Sequence, residues 1–420
     1  MTADLIIHHI GELLTPYREA PVKGDAMGDI LRISEAYVAV RDGRILEFGT
    51  GDPTPVAGPD TVWHDAQGNI LVPGFVDGHT HLVFAGSREH EFAQKVAGVP
   101  YLEILRRGGG IFSTVDRTRK AAKEELKAQA LVSLRRFLEY GVTTLEAKSG
   151  YGLDAETEIR ILEVQKELDA EQPVDIVSTY LGAHAVPKEY REDRGGYMAK
   201  MMEVMKEVRA RDLARFADVF CEEGVFTPEE SLGLLEAARE IGLIPKIHAD
   251  EIVSTGGAGI AVAVRAASAD HLMAASEGDL ARLAGSDVVA NLLPGTSFYL
   301  GKDYADARKM ISAGIALGVA SDYNPGSSPS ENFQLIMQLA AGKLRMKPEE
   351  ILTAATINPA FQLGRSGEIG SIAPGKRADL VILNAKNLDY VFYHYGINHT
   401  RTVFKDGVIV VENGCRIREE

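Results

Sequence analysis

Cysteine is nearly absent from this 420-residue chain: only Cys221 and Cys415 occur, far apart. They define no disulfide framework, so stability must come from an apolar core rather than covalent staples. Basic residues are scarce as well, 45 Lys and Arg against 60 Asp and Glu, for a formal charge of −15. No run of five or more Lys/Arg occurs. That excludes the clustered basic face which phosphate neutralisation on nucleic acid requires. Long apolar runs are missing too. The longest weakly polar stretch, Gly256–Val264, falls well short of the ~18 residues a membrane span needs. The opening MTADLIIHHIGELLT has neither a cationic n-region nor a long apolar h-region, so no signal peptide is expected. There is no low-complexity segment and no fixed-period repeat. What remains is an acidic, cytoplasmic chain of ordinary globular composition, 45% apolar and 25% charged. At ~100–200 residues per domain, it holds two or three domains, or one large barrel with an accessory module.

The two ends differ from the middle. Ala36–Gly49 places two β-type runs around Asp42-Gly43, and Thr400–Gly414 repeats the plan around Asp406-Gly407. Asp-Gly between alternating runs is a strong hairpin signal, because both central residues must take positive φ. With the apolar run Ala378–Leu383, residues 1–68 and 367–420 read as all-β. The middle alternates short apolar strands with amphipathic helices. The strand candidates are Ile70–His79, Val142–Gly150, Asp175–His184, Phe216–Gly224, Ile244–Glu251, Ala267–Leu272, Asp287–Gly295 and Leu317–Gly326. Helices read between them include Arg119–Tyr140, stopped by Gly141, and one opened by the capping box Thr227-Pro228-Glu229-Glu230. Eight strands alternating with helices over residues 69–366 fit a (β/α)8 TIM barrel better than an open doubly wound sheet.

Histidine carries the chemistry. His79-Thr80-His81 closes the first strand, and residues two apart on a strand share a face, ~6.6–6.8 Å apart, so both imidazoles can reach one ion. Alone this is a weak signal. Its context strengthens it: of eleven histidines, His79, His81, His184, His248 and His271 fall at C-terminal strand ends, and Asp322 ends the eighth strand. In a barrel those ends open onto one face, where active sites are built. His79, His81, His248 and Asp322 form a ligand set suited to Zn2+, with Fe2+ also compatible. The fourth strand ends in Cys221-Glu222-Glu223 without a lysine, which argues for one divalent ion per chain.

The ordered set GFVDGHTH, HADE, SADH and SDYNPG resembles the amidohydrolase superfamily over essentially the whole chain. Longer motifs are similar to those of the imidazolonepropionases within it. These are HTHLVFAGSREHEF, GGGIFSTVDRTR, EAKSGYGLD, TYLGAHAVP, FCEEGVF, KIHADE and SDYNPGSSP. The resemblance implies that residues 1–68 and 367–420 join as one composite β-sandwich beside the barrel. It also implies hydrolysis of the cyclic amide C–N bond of 4-imidazolone-5-propanoate to N-formimidoyl-L-glutamate. In that chemistry His271 would stabilise the oxyanion, and Glu251 and Asp322 would move protons. Arg88 and Tyr151 would hold the propionate, His184 the ring, and Asn324, Gly326 and Ser327 the polar end. The family further suggests a homodimer.

Blander readings apply elsewhere. Lys148 is expected to pair structurally with Glu146 or Glu222, and Cys221 to be a reduced core thiol. His8, His9, His64, His394 and His399 read as non-catalytic and His90 as a surface residue. Gly108-Gly109-Gly110 reads as a mobile lid with no helix start clearly following. Two rival functions stay open: a mononuclear deaminase of guanine or cytosine type, sharing the metal residues but not needing Arg88, and a barrel without chemistry.

Overall fold

A computed structural model describes residues 2–99, 103 and 109–417. The chain enters through β1 (Ala3–Pro16), β2 (Ile30–Arg41), β3 (Arg44–Thr50), β4 (Ala57–Asp65) and β5 (Ile70–Pro73). Eight strands follow: β6 (Phe75–Asp77), β7 (Val142–Lys148), β8 (Asp175–Ala183), β9 (Phe216–Cys221), β10 (Ile244–Ala249), β11 (Ser268–His271), β12 (Val289–Leu292) and β13 (Leu317–Val319). It ends with β14 (Leu380–Leu383), β15 (Thr400–Lys405), β16 (Val408–Glu412) and β17 (Cys415–Arg416).

Strands β6–β13 pair in sequence order, all parallel, with helices between. This is the expected (β/α)8 barrel. Its first and last strands are short, and they meet just beyond their own ends. Thr80 bridges Tyr323 in parallel, His81 N donates to Tyr323 O (2.9 Å), and Asp322 N donates to His79 O (3.0 Å). The HTH and SDYN motifs therefore form the seam that closes the ring.

Strands from both ends make the second, nine-stranded sheet, in the order β17-β16-β15-β14-β5-β1-β2-β3 with β4 on β1. This β-sandwich encloses its own core of Leu5, Ile7, Leu13, Val38, Leu71, Leu380 and Phe404. Both Asp-Gly turns are present, with φ of 49° and 72° at Asp42-Gly43 and 49° and 74° at Asp406-Gly407. The Thr227 capping box forms in both directions, at 2.9 and 3.2 Å.

Four local expectations need correction. The run Ile70–His79 is not one strand: Ile70–Pro73 pairs with β14 and β1 in the terminal sheet, and only Phe75–Asp77 joins the barrel. Both parts are fully buried, so the apolar run gives no sign of the change of sheet. The helix read as Arg119–Tyr140 is two, Ile111–Lys120 and Lys123–Glu139, because Ala121 is extended (ψ 140°). A helix does begin directly after Gly110, while Gly108 lies outside the described residues. The terminal segments are not wholly β, since Leu388–Tyr393 is helical. Among the described residues no helix is long and apolar enough to cross a membrane.

Candidate active site

The C-terminal strand ends bring the sequence-selected histidines together. His79 and His81, leaving β6, place their Nε2 atoms 3.3 Å apart. Asp322 Oδ1, just past β13, lies 3.4 Å from His79 Nε2 and 3.5 Å from His81 Nε2. His248, on β10, completes a set of three histidines whose ligand atoms all lie within 4.8 Å of one another. All four side chains are buried, and His248 Nε2 has no hydrogen-bond partner. Lone pairs facing one another in a dry site are unfavourable unless a cation lies among them. The donor set, three imidazoles and a carboxylate, fits a borderline transition metal.

Two of the three rings face a carboxylate on their far side, one of them through a hydrogen bond, while His81 Nδ1 has no hydrogen-bond partner among the described residues. His79 Nδ1 sits 2.7 Å from Asp270 Oδ2, and His248 Nδ1 sits 3.0 Å from Asp218 Oδ2. Carboxylates in these positions fix ring orientation and tautomer, leaving Nε2 for a metal. Asp322 is oriented likewise. Its Oδ2 accepts from Thr296 Oγ1 (2.5 Å) and Ser327 Oγ (3.2 Å), which leaves Oδ1 for the histidines. Burial, reinforced by the Lys148 ammonium, holds the His79 proton affinity well below the ordinary imidazole value. Burial and the neighbouring His184 do the same at His81. Burial raises the Asp322 carboxyl.

Strained backbone clusters at the same strand exits, with φ of 79° at His271, 62° at Leu272, 52° at Asp250 and 52° at Asp322. Such conformations persist where surrounding structure over-determines them. Here Asp250 accepts the N–H groups of Thr255 (2.7 Å), Gly256 (3.0 Å) and Ala258 (3.0 Å). Glu222 accepts those of Ile252 (2.9 Å) and Val253 (3.3 Å). Together they fix the loop carrying Glu251, whose Oε2 lies 3.7 Å from His271 Nε2. Glu222 is thus a loop anchor, not the expected partner of Lys148, which pairs with Glu146 (3.0 Å), Asp218 (2.7 Å) and Asp270 (3.4 Å).

His184 stacks on His81, ring centroids 4.9 Å apart and 11° from parallel, and Tyr151 packs against both. His184 Nδ1 is 3.0 Å from the Gly150 carbonyl, so it donates there and turns Nε2 outward as an acceptor. Burial lowers its pKa to about 3, so the ring is neutral at physiological pH. Arg88 caps the helix Glu89–Val96, and its Nε donates to Thr114 Oγ1 at 2.9 Å. Among the described residues this guanidinium has no carboxylate partner. It packs against Gly326, where a Cβ would sit 2.4 Å from Nη1, so a larger residue there would push the guanidinium aside. Asn324 ties the same loop: its Oδ1 accepts from Gly326 N and Ser327 N (2.7 and 2.8 Å), and its Nδ2 donates to Asp322 O (2.6 Å) and Ser327 Oγ (2.7 Å). A cavity of about 320 Å3 opens on the Arg88 side, lined in part by Phe84, Phe92, Tyr299 and Tyr323.

Sequence reasoning missed Asp218, Asp270, Lys246 and Thr296, and it found only the Glu146 partner of Lys148. The signal for the first three was present: each is a charged residue inside a barrel strand, as in FADVF, SADH and IPKIHA.

Comparison with known proteins places this geometry in context. The amidohydrolase family profile matches residues 70–410. An imidazolonepropionase of Alkaliphilus oremlandii is 51% identical over 420 residues, covering 99% of both chains. One from Bacillus cytotoxicus is 49% identical over 413 residues, covering 98% of this chain and 97% of its own. Among solved structures, Escherichia coli guanine deaminase superposes with TM-score 0.73 at 16% identity, covering 97% of this chain and 99% of its own. N-isopropylammelide isopropylaminohydrolase of Burkholderia multivorans gives 0.71 at 19%, covering 99% and 100%.

Proposed function

We infer that this chain, which belongs to the amidohydrolase family and within it to the imidazolonepropionases, opens the ring of 4-imidazolone-5-propanoate with water. The product is N-formimidoyl-L-glutamate, and the bond broken is a cyclic amide C–N bond. The observation that favours this over a deaminase is Arg88: a guanidinium on the histidine face, without a carboxylate partner among the described residues, awaits an anion. A neutral base offers none. The likeness to guanine deaminase, at 16% identity, concerns the fold alone.

The reaction is metal-dependent in this family, and His79, His81, His248 and Asp322 are the residues proposed to hold one divalent ion, Zn2+ or Fe2+. When bound there, the ion lowers the pKa of water towards ~7 and supplies the nucleophile at neutral pH. The chain's own residues do the rest. His271 is proposed to stabilise the developing oxyanion. Glu251 and Asp322 take the proton from water and return one to the departing ring nitrogen. Arg88 and Tyr151 hold the propionate, and His184 Nε2 accepts a ring N–H. Ser327 faces the polar end of the substrate, and Gly326 and Asn324 act there through the loop they shape. A cytoplasmic homodimer is the proposed assembly, to be sized by light scattering.

The decisive assay supplies imidazolone propanoate and guanine separately, following ring absorbance and ammonia release. Ring opening of the first without ammonia from the second is expected. Ammonia from guanine with the imidazolone untouched would overturn the reading. Arg88→Met is expected to raise KM ~10–100-fold with little change in kcat, since a charge-assisted hydrogen bond to the propionate is worth about 1.5–3 kcal/mol in substrate and transition state alike. An unchanged KM would remove Arg88 from the carboxylate site.

A further inference from the structure

Beneath the histidines lies a layer of five charged side chains, Glu146, Lys148, Asp218, Lys246 and Asp270, all with 0% side-chain exposure. Buried charges are retained only when paired, and most barrel interiors use branched apolar residues at this depth. The pairing is uneven. Lys246 Nζ reaches Glu146 Oε2 (2.6 Å) and the Gly78 carbonyl (3.4 Å), and among the described residues it makes no other ion pair. Lys148 Nζ reaches Glu146 Oε1 (3.0 Å), Asp218 Oδ2 (2.7 Å) and Asp270 Oδ2 (3.4 Å). Those two aspartate oxygens are the same atoms that face His248 Nδ1 (3.0 Å) and His79 Nδ1 (2.7 Å).

We propose that Lys148 is a positioning residue for the metal centre: one ammonium holds the two carboxylate oxygens that set the orientations of His248 and His79. The three strands involved are β7, β9 and β11, and among the described residues no other side chain is ion-paired with both aspartates. With Lys148 in place, Oδ2 of each aspartate is fixed from below, so each imidazole can rotate only slightly about its Cβ–Cγ bond. Both Nε2 atoms then point at one place. Without it, two buried aspartates lose their common anchor, and the two rings lose their shared register. Substitution of such outer partners typically costs 10–100-fold in metal affinity. Lys246 provides the internal control, because it has the same burial and the same Glu146 partner but touches no carboxylate that holds a histidine.

The proposal rests on the metal-site reading above, and the experiment separates the two. Apo protein is titrated with Zn2+ against a chromophoric chelator for wild type, Lys148→Met and Lys246→Met, with thermal unfolding of each apo form measured in parallel. Wild type is expected to bind one Zn2+ per chain; no binding would remove the metal reading itself. Lys148→Met is expected to bind ~10–100-fold more weakly, and Lys148→Arg to recover part of that loss. Lys246→Met should bind as tightly as wild type even though its unfolding midpoint falls. Equal weakening in both methionine variants, or undiminished binding in Lys148→Met, would overturn the proposal. If Lys148→Met yields no folded protein, Lys148→Gln, closer in polarity, carries the same expectation in the same titration.

Discussion

Replacing Glu251 by Gln should lower kcat ~10²–10⁴-fold, the range a positioned general acid or base contributes, while metal content stays at the wild-type level. The separation of the two effects follows from where Glu251 sits. Its carboxylate is 3.7 Å from His271 Nε2 and is not among the three histidines whose ligand atoms cluster. Asp250 and Glu222 hold its loop through backbone N–H groups, so the substitution leaves the loop's own anchors intact. Gln matches Glu in shape and keeps an oxygen for hydrogen bonding, but it cannot accept and return a proton. Steady-state kinetics with metal analysis on the same sample checks this. Full turnover would discard the proton-shuttle role, and loss of metal would make Glu251 a ligand.

Removing the metal is expected to have the larger effect. Dialysis against a strong chelator should reduce ring opening by at least ~10³-fold, because unassisted water, with a pKa near 15.7 rather than ~7, is a poor nucleophile at neutral pH. Zn2+ or Fe2+ should restore activity, and Mg2+ should not, because a pocket with three imidazoles suits the first two and Mg2+ prefers oxygen donors. The measurement is activity against added ion, after metal analysis has shown the sample to be metal-free. Undiminished activity in that sample would refute the metal-dependent mechanism for this chain.

The contrast between His248 and Asp218 shows what a sequence can and cannot display. His248 stood out because histidines are few and five of them fall where strands end, so position alone gave them meaning. Asp218 lies inside FADVF, where its charge looked like an interruption. Its meaning depends on β10 lying beside β9 and on β7 lying beyond β8 on the other side, so that Lys148 and His248 both reach it across the barrel interior, which sequence order alone does not establish. Lys148 shows the same limit more sharply. It was expected beside Glu146 or Glu222; Glu146 is correct, but Asp218 and Asp270 come from strands 70 and more residues away. The division at Gly74 was invisible for a different reason. Side-chain periodicity reports which faces are buried, and Ile70–Pro73 and Phe75–Asp77 are buried throughout, each in a different sheet. The local punctuation was legible where one residue decides the backbone, as at the Asp-Gly turns and the Thr227 cap.

The Thr80–Tyr323 bridge carries a consequence for the whole barrel. The backbone that completes its circumference is the same backbone that presents His79, His81 and Asp322. Circumference and aperture are therefore one quantity in this protein. Any adjustment of strand tilt that widened the ring would draw His79 and His81, after β6, away from Asp322, after β13. One that tightened it would press them together. Insertions in the outer helices and loops can vary around such a ring, but the ring itself has a gauge, set by the 3.3–3.5 Å spacing of His79, His81 and Asp322.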